Sequence, residues 1–216
     1  MSGKNYGPKA RPKAVQANYL IYGKQPVKLL AEQENYLLEE LYLVKGQHQE
    51  WLEIYQNLPK KSRKLFEPEQ FAKLFAEPVN HQNVAAKIRP KKSLTSEQLL
   101  LNEKAPQKIL LCDQITDIGN CGAIIRSALA FAFEKIIFPK HHAPNDFAKL
   151  VKASAGYALQ SEIYYENNLV RLILKLKAQG YWVVGLDGQA KGELAEIKNF
   201  AKLALIIGNE NRGIRR

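Results

Sequence analysis

Three kinds of sequence follow one another in the stretch Ile109-Leu-Leu-Cys112-Asp113-Gln-Ile-Thr-Asp117-Ile-Gly119-Asn120-Cys121-Gly122-Ala-Ile-Ile-Arg126-Ser127-Ala128. Ile109–Cys112 is continuously apolar, as a strand covered on both faces is. Gly122–Phe133 is apolar with helical spacing and predicts a helix. Between them lies a short polar loop. Gly119 and Gly122 allow a tight turn and close backbone approach there. A helix N-terminus just after a strand offers unpaired amides to an anion or a sugar hydroxyl. Arg126 falls inside the apolar helix, so its guanidinium needs a carboxylate, a carbonyl or a ligand. The plain reading is a structural Arg–Asp pair; the sharper one is a site residue.

Outward from this stretch, strands and helices alternate. Ile136–Phe138, Ile163–Tyr165, Trp182–Leu186 and Leu203–Ile207 read as strands. Asp146–Lys152 and Leu169–Gln179 read as helices. Such alternation predicts an α/β domain with a parallel sheet, which binds ligands where loops leave the carboxyl ends of its strands. Two further loops sit at such ends. Gly208-Asn209-Glu210-Asn211-Arg212-Gly213 follows the last strand, and Gly185-Leu186-Asp187-Gly188 follows Trp182–Leu186. Each alone reads first as a turn.

The first half is a smaller α/β unit. Tyr19–Tyr22, Leu41–Val44, Arg63–Phe66 and Val84–Ile88 read as strands. Gln25–Gln33 and Gln49–Leu58 read as helices, and Pro68 opens another. The division is a basic tail over 1–17, a unit over 18–90, a linker over 91–107 and a second domain over 108–216. The basic run Arg89-Pro90-Lys91-Lys92 enters that linker; it reads as a solvated face, or as a phosphate contact if RNA lies beside it.

Charge narrows the partner. The 216 residues carry 32 Lys plus Arg against 21 Asp plus Glu, a net +11. Residues 1–108 hold 18 basic and 11 acidic side chains, a net +7, so the excess lies mostly in the first half. A polyanion partner follows. No apolar run approaches the length of a membrane span, and the N-terminus lacks the apolar core of a secretory signal. Cys112 and Cys121 form no CxxC pair, and His48, His81, His141 and His142 show no ligand spacing. A disulfide scaffold and a metal site are not expected; a reducing, cytoplasmic setting is. Ser127 and Ser154 lack the context of a serine nucleophile.

The segment Asp113–Ala128 resembles the first signature of the SpoU (TrmH-like) RNA ribose 2′-O-methyltransferases, and Leu205-Ile-Ile-Gly208-Asn-Glu210-Asn-Arg-Gly-Ile214 resembles their second. Lys152-Ala-Ser154-Ala-Gly156 is similar to a segment between the two. Asn18–Glu32 and Asn80–Pro90 are similar to the ends of the substrate-binding domain that precedes the catalytic domain in this family. The likeness runs from residue 18 onward and is greatest to members that methylate a guanosine ribose in 23S rRNA. Ile118 stands where the first signature normally has proline.

The resemblance implies an L30e-like N-terminal domain and a catalytic domain of the trefoil-knot (SPOUT) type. It implies S-adenosylmethionine as methyl donor and a ribose 2′-hydroxyl of RNA as acceptor, rRNA rather than tRNA. It makes Arg126 catalytic, with Asn120 and Glu210 shaping the site, and places Gly208, Gly185 and Ile207 against the donor. It also implies a homodimer, with no membrane and no metal. The family's third signature, a Ser-Leu-Asn stretch, does not occur before Arg216, which reads as a C-terminal truncation. On that reading Gly213–Arg216 should fray, the last strand should lack a neighbour, and donor binding and dimerisation should be weak. The alternative is an inactive fragment that only binds RNA. A nicotinamide-dependent enzyme is disfavoured, since no GxGxxG follows Ile109–Cys112.

Overall fold

The computed structural model describes residues 18–46, 49–92, 94–101, 107–141, 144, 146–192 and 200–215. The expected basic tail, His48 and His142 lie outside the described residues. Among the described residues no helix is long and apolar enough to cross a membrane.

The first half forms a four-stranded sheet from β1 (Tyr19–Tyr22), β2 (Tyr36–Val44), β3 (Arg63–Phe66) and β4 (Val84–Pro90), in the order β1-β4-β2-β3. The β2–β3 pair is parallel and the others antiparallel. Helices α1 (Lys24–Leu29), α2 (Leu52–Asn57) and α3 (Pro68–Ala72) connect the strands. β2 begins five residues before the predicted Leu41, because Glu39 and Glu40 break the apolar run without breaking the strand. The ladder shifts register between Leu38 and Glu40. Glu39 then pairs with Arg89 at 3.0 Å and Glu40 with Lys64 at 2.8 Å.

The second half forms a five-stranded sheet from β5 (Gln107–Cys112), β6 (Lys135–Pro139), β7 (Glu162–Glu166), β8 (Trp182–Gly185) and β9 (Lys202–Ile207). The order is β7-β6-β5-β9-β8 and every pair is parallel. Successive side chains of β5 serve opposite faces. Leu110 and Cys112 join the core under α5 (Ile118–Ala130) and α6 (Phe147–Ala153), whereas Ile109 and Leu111 join the core under α4 (Ser96–Leu101) and α7 (Leu169–Ala178). The stretch expected as a linker therefore contributes to the second core: Leu99 of α4 is buried there.

Two expectations are corrected. α5 starts at Ile118, not Gly122, because Asp117 caps it by accepting a hydrogen bond from the Asn120 amide at 2.7 Å. That cap outweighs the poor helix propensity of Gly119 and Asn120. The last strand, β9, does not lack a neighbour; it lies between β5 and β8 and bonds to both. Periodicity finds a strand but carries no information on its place in the sheet.

The two sheets meet across α6. Phe147 packs on Tyr19 and Tyr36, with ring centroids 4.6 and 5.4 Å apart. Lys152 donates to Gln82 Oε1 at 2.9 Å, and the same oxygen accepts the Lys24 amide at 3.1 Å. Gln82 and Asn83 both adopt left-handed backbone, with φ of 53° and 62°. The turn is held by His81, whose Nδ1 accepts the Asn83 amide at 3.0 Å while its ring stacks on Phe75. Burial, and then the Lys152 charge, push the His81 pKa below its ordinary 6.5. The unfolded chain therefore takes up this proton first. Its contribution to stability is complete above the unfolded value and is lost as pH falls through the folded one. Melting from about pH 8 to about pH 5 should show this loss, and His81→Gln should flatten it. An unchanged pH profile in that variant would refute the assignment.

Candidate active site at the β5–β9 switch point

From β5 the chain moves to β6 and β7 on one side, and it returns through β8 and β9 on the other. The strand order reverses between β5 and β9, where an open parallel sheet leaves a crevice at its carboxyl edge. The loop after β5 and the loop after β9 are stitched together there. The Asp113 amide donates to the Ile207 carbonyl at 2.7 Å. Asn209 Nδ2 donates to the Gln114 carbonyl at 3.2 Å. Asn209 Oδ1 accepts the amides of Asn211 at 3.0 Å and Arg212 at 3.3 Å, which shapes the turn that carries Glu210.

The turn closes tightly on Gly208. A Cβ there would lie 2.2 Å from the Gly213 carbonyl carbon. A Cβ on Gly185, at the end of β8, would lie 2.8 Å from Ile214 Cδ1. The space around both glycines is thus used by the chain's own return. Leu186 fastens its loop to β9 through its amide on Ile206 O at 2.9 Å, and Asp187 accepts the Gln189 amide at 2.9 Å in a local turn.

Residues 213–215 are not frayed. Gly213 bridges to Asn209, Ile214 packs against the α4–α7 core, and Arg215 grips Asp113. The Asp113 side chain, only 6% exposed, accepts from Arg215 Nε at 2.9 Å and from its NH2 at 2.7 Å, and also takes the Arg215 amide at 2.9 Å. A carboxylate this buried needs a cation, and that requirement orders the segment. The pairing raises the Arg215 pKa further. Arg215→Ala should cost about 2–3 kcal/mol by leaving Asp113 without its partner. Urea unfolding measures it; a loss under about 0.5 kcal/mol would show that water satisfies the carboxylate.

Arg126 is exposed on α5 and donates from NH1 to the Ala153 carbonyl at 2.6 Å. The plain reading of an Arg–Asp pair is therefore wrong at Arg126; the Arg–Asp pair of this edge belongs to Arg215. Gly122 explains the carbonyl contact. A Cβ on Gly122 would lie 2.5 Å from the Ala153 carbonyl carbon, so its absence lets α5 approach the end of α6. A guanidinium suits that helix end, where the neighbouring carbonyls Val151 O and Lys152 O accept the Gly156 and Ala155 amides and Ala153 O accepts from Arg126.

Asn120 and Glu210 are exposed, Asn120 in the first turn of α5 and Glu210 in the turn after β9. Ile207 and Gly208 are half-buried at the end of β9. The fold brings Ile207, Gly208, Glu210, Gly185 and Asn120 to one edge of the sheet, with Arg126 farther along α5. Sequence reasoning passed over Asp113, Asn209 and Arg215. For Asp113 there was a signal, an acid directly after a buried strand. Beside the Asp113–Arg215 pair a cavity of about 340 Å³ opens between the start of α7 and the ends of β5 and β9, floored by Leu111, Ile206 and Ile214.

Other reactive groups are structural. Cys112 and Cys121 are fully buried, and burial raises both thiol pKa values, that of Cys121 to about 12. The buried Ser154 hydroxyl donates to Val151 O at 3.1 Å and accepts the Ala158 amide at 3.0 Å. Among the described residues no three His, Cys, Asp or Glu side chains gather as a metal cluster would.

Comparison with known proteins agrees with this layout. The family described as "SpoU rRNA Methylase family" matches residues 107–216, and "RNA 2'-O ribose methyltransferase substrate binding" matches residues 20–94. A 23S rRNA (guanosine-2'-O-)-methyltransferase RlmB from Vibrio vulnificus is 30% identical over 210 residues, covering 93% of this chain and 83% of that protein. Its counterpart from Shewanella oneidensis is 30% identical over 207 residues, covering 91% and 82%. The SpoU methyltransferase AviRb from Streptomyces viridochromogenes, solved with the cofactor AdoMet, has the same fold. Its TM-score is 0.73 at 20% identity, over 92% of this chain and 76% of that one.

Proposed function

Because the chain belongs to the SpoU rRNA methylase family, we propose that it is an S-adenosylmethionine-dependent RNA ribose 2′-O-methyltransferase acting on a guanosine of 23S rRNA. The observation that carries this reading is the stitched pair of loops at the β5–β9 switch point, within residues 107–216. The acceptor is taken from the relatives, which are named for it.

The side chains at the edge fit a cationic nucleoside. Half-buried Leu186 and Ile207 offer apolar surface, and the exposed carboxylates Asp187 and Glu210 suit ribose hydroxyls and positive charge. Ile207, Gly208 and Gly185 would hold the donor through the path of the backbone, since Gly213 and Ile214 already fill the space beside the glycines. When bound, S-adenosylmethionine supplies an electrophilic methyl group. The protein's task is to position a ribose hydroxyl, which is a poor nucleophile. Arg126 is assigned to the acceptor. A guanidinium is a hydrogen-bond donor with no acceptor atom, so it holds the phosphate or stabilises the developing alkoxide with donors not spent on Ala153. Asn120 and Glu210 shape the site between donor and acceptor.

The unit over 18–90 is proposed to bind the RNA, supported by the family match over 20–94. The protein is proposed to act as a cytoplasmic homodimer. Phe131, 70% exposed at the end of α5, is an apolar side chain that a second subunit would cover. Labelled methyl transfer to 23S rRNA, with tRNA as control, tests the central reading. 2′-O-Methylguanosine in the rRNA digest is the expected product. Purified protein that neither binds the donor nor methylates rRNA would overturn it.

A further inference from the structure

A second cleft, of about 350 Å³, opens between α4 and α7 along the outer strand β7. It lies on the face of the sheet opposite α5 and Arg126, because α4 and α7 cover one core and α5 and α6 the other. Arg171 and Lys175 both line it. They stand four residues apart on α7, so they share one helix face, about 6 Å apart along the axis. Both are exposed, and among the described residues neither forms an ion pair. Two like charges at this spacing repel each other, and an anion between them would turn that repulsion into binding. Glu166 also lines the cleft, and its carboxylate accepts the Asn168 amide at 3.2 Å.

The rim opposite the cations is formed by Leu94 and Thr95. Just before them, Lys91 and Lys92 are exposed, and the Lys91 amide is anchored to Asn35 O at 2.9 Å in the first sheet. Basic groups therefore run from the first sheet, along the connecting segment, into a groove on the second. A chain of phosphates matches a track of this kind better than a single compact anion does.

We propose that this groove holds the sugar–phosphate backbone of a single-stranded segment of the substrate RNA, with Arg171 and Lys175 on successive phosphates. The proposal rests on the RNA methyltransferase reading. On it, bound RNA reaches around the β7 edge from the reactive face to the far side of the sheet.

Fluorescence anisotropy of the full chain with a labelled single-stranded oligoribonucleotide, across a salt series, tests it. Each phosphate contact contributes about 0.7 to the logarithmic salt slope for single strands. Arg171→Gln/Lys175→Gln should therefore lower the slope by about 1.4 and weaken binding by more than about tenfold at low salt. The charge-matched control Lys135→Gln/Lys177→Gln, at the start of β6 and on α7 outside the groove, should change the slope far less. Both are surface changes, and an unchanged melting curve verifies the fold. If the wild-type protein binds the oligoribonucleotide and the groove variant keeps the full slope, the groove proposal falls alone. If the wild-type protein binds no RNA at any salt, the RNA methyltransferase reading falls as well.

Discussion

Arg126→Ala should lower methyl transfer by about 10²–10³-fold while donor affinity stays nearly intact. The guanidinium is exposed on α5 and gives one N–H to the Ala153 carbonyl. Its remaining donors are placed by that contact instead of being left to rotate. A planar fork fixed at one corner can meet a phosphate or an alkoxide with the others. Arg126→Lys should be nearly as poor as alanine, because a single ammonium cannot bond the carbonyl and face the acceptor with the same geometry. Gly122 takes part only through position, since it sets how near Ala153 comes. The measurement is single-turnover transfer with calorimetry of donor binding. Near-normal turnover in the lysine variant would remove the geometric role, and parallel loss of donor affinity would move Arg126 to the donor side.

Gly208→Ala should damage the site from the other loop. The added methyl would fall within 2.2 Å of the Gly213 carbonyl carbon and 2.4 Å of the Ile214 amide nitrogen. Both are backbone atoms, so no side chain can swing away. The turn must open, and Asn209 then pulls on Gln114 while Ile214 and Arg215 lose their seats. Overpacking of this kind costs about 1–3 kcal/mol, and here it also displaces the Asp113 partner. A lower melting temperature together with donor binding weaker by more than about tenfold is expected. Wild-type melting and donor affinity in this variant would show that the turn adapts without cost.

Most of the second domain was legible because its strands are short, uniform apolar runs between polar loops. Leu203–Ile207 reads as buried strand and is one. Helix starts were legible where a cap precedes an apolar run: Asp146 and Asn168 accept from Lys149 N at 3.0 Å and Arg171 N at 2.9 Å. At Asp117 the same signal was masked by Gly119 and Asn120, which look like loop. The surroundings of the site residues were less legible. Arg126 was expected among apolar neighbours, but one helix face can turn an arginine to solvent while its neighbours stay buried. Asp113 and Arg215 are 102 positions apart, and no local pattern joins residues at that distance.

The place of β9 governs how this chain comes to be folded. β5 can pair on one side as soon as β6 exists, yet its other edge waits for residues 202–207. Among the described residues β8 pairs only with β9, so it too waits for residues 202–207. During synthesis, the apolar edge formed by Gln107–Cys112 is therefore exposed while some ninety further residues are added. Closing so distant a pairing is entropically slow. An open strand edge in the meantime is a template for pairing with another nascent chain. A strand made last but seated inside the sheet thus leaves the maturing chain open to misassembly at a stage when its other strands are already made.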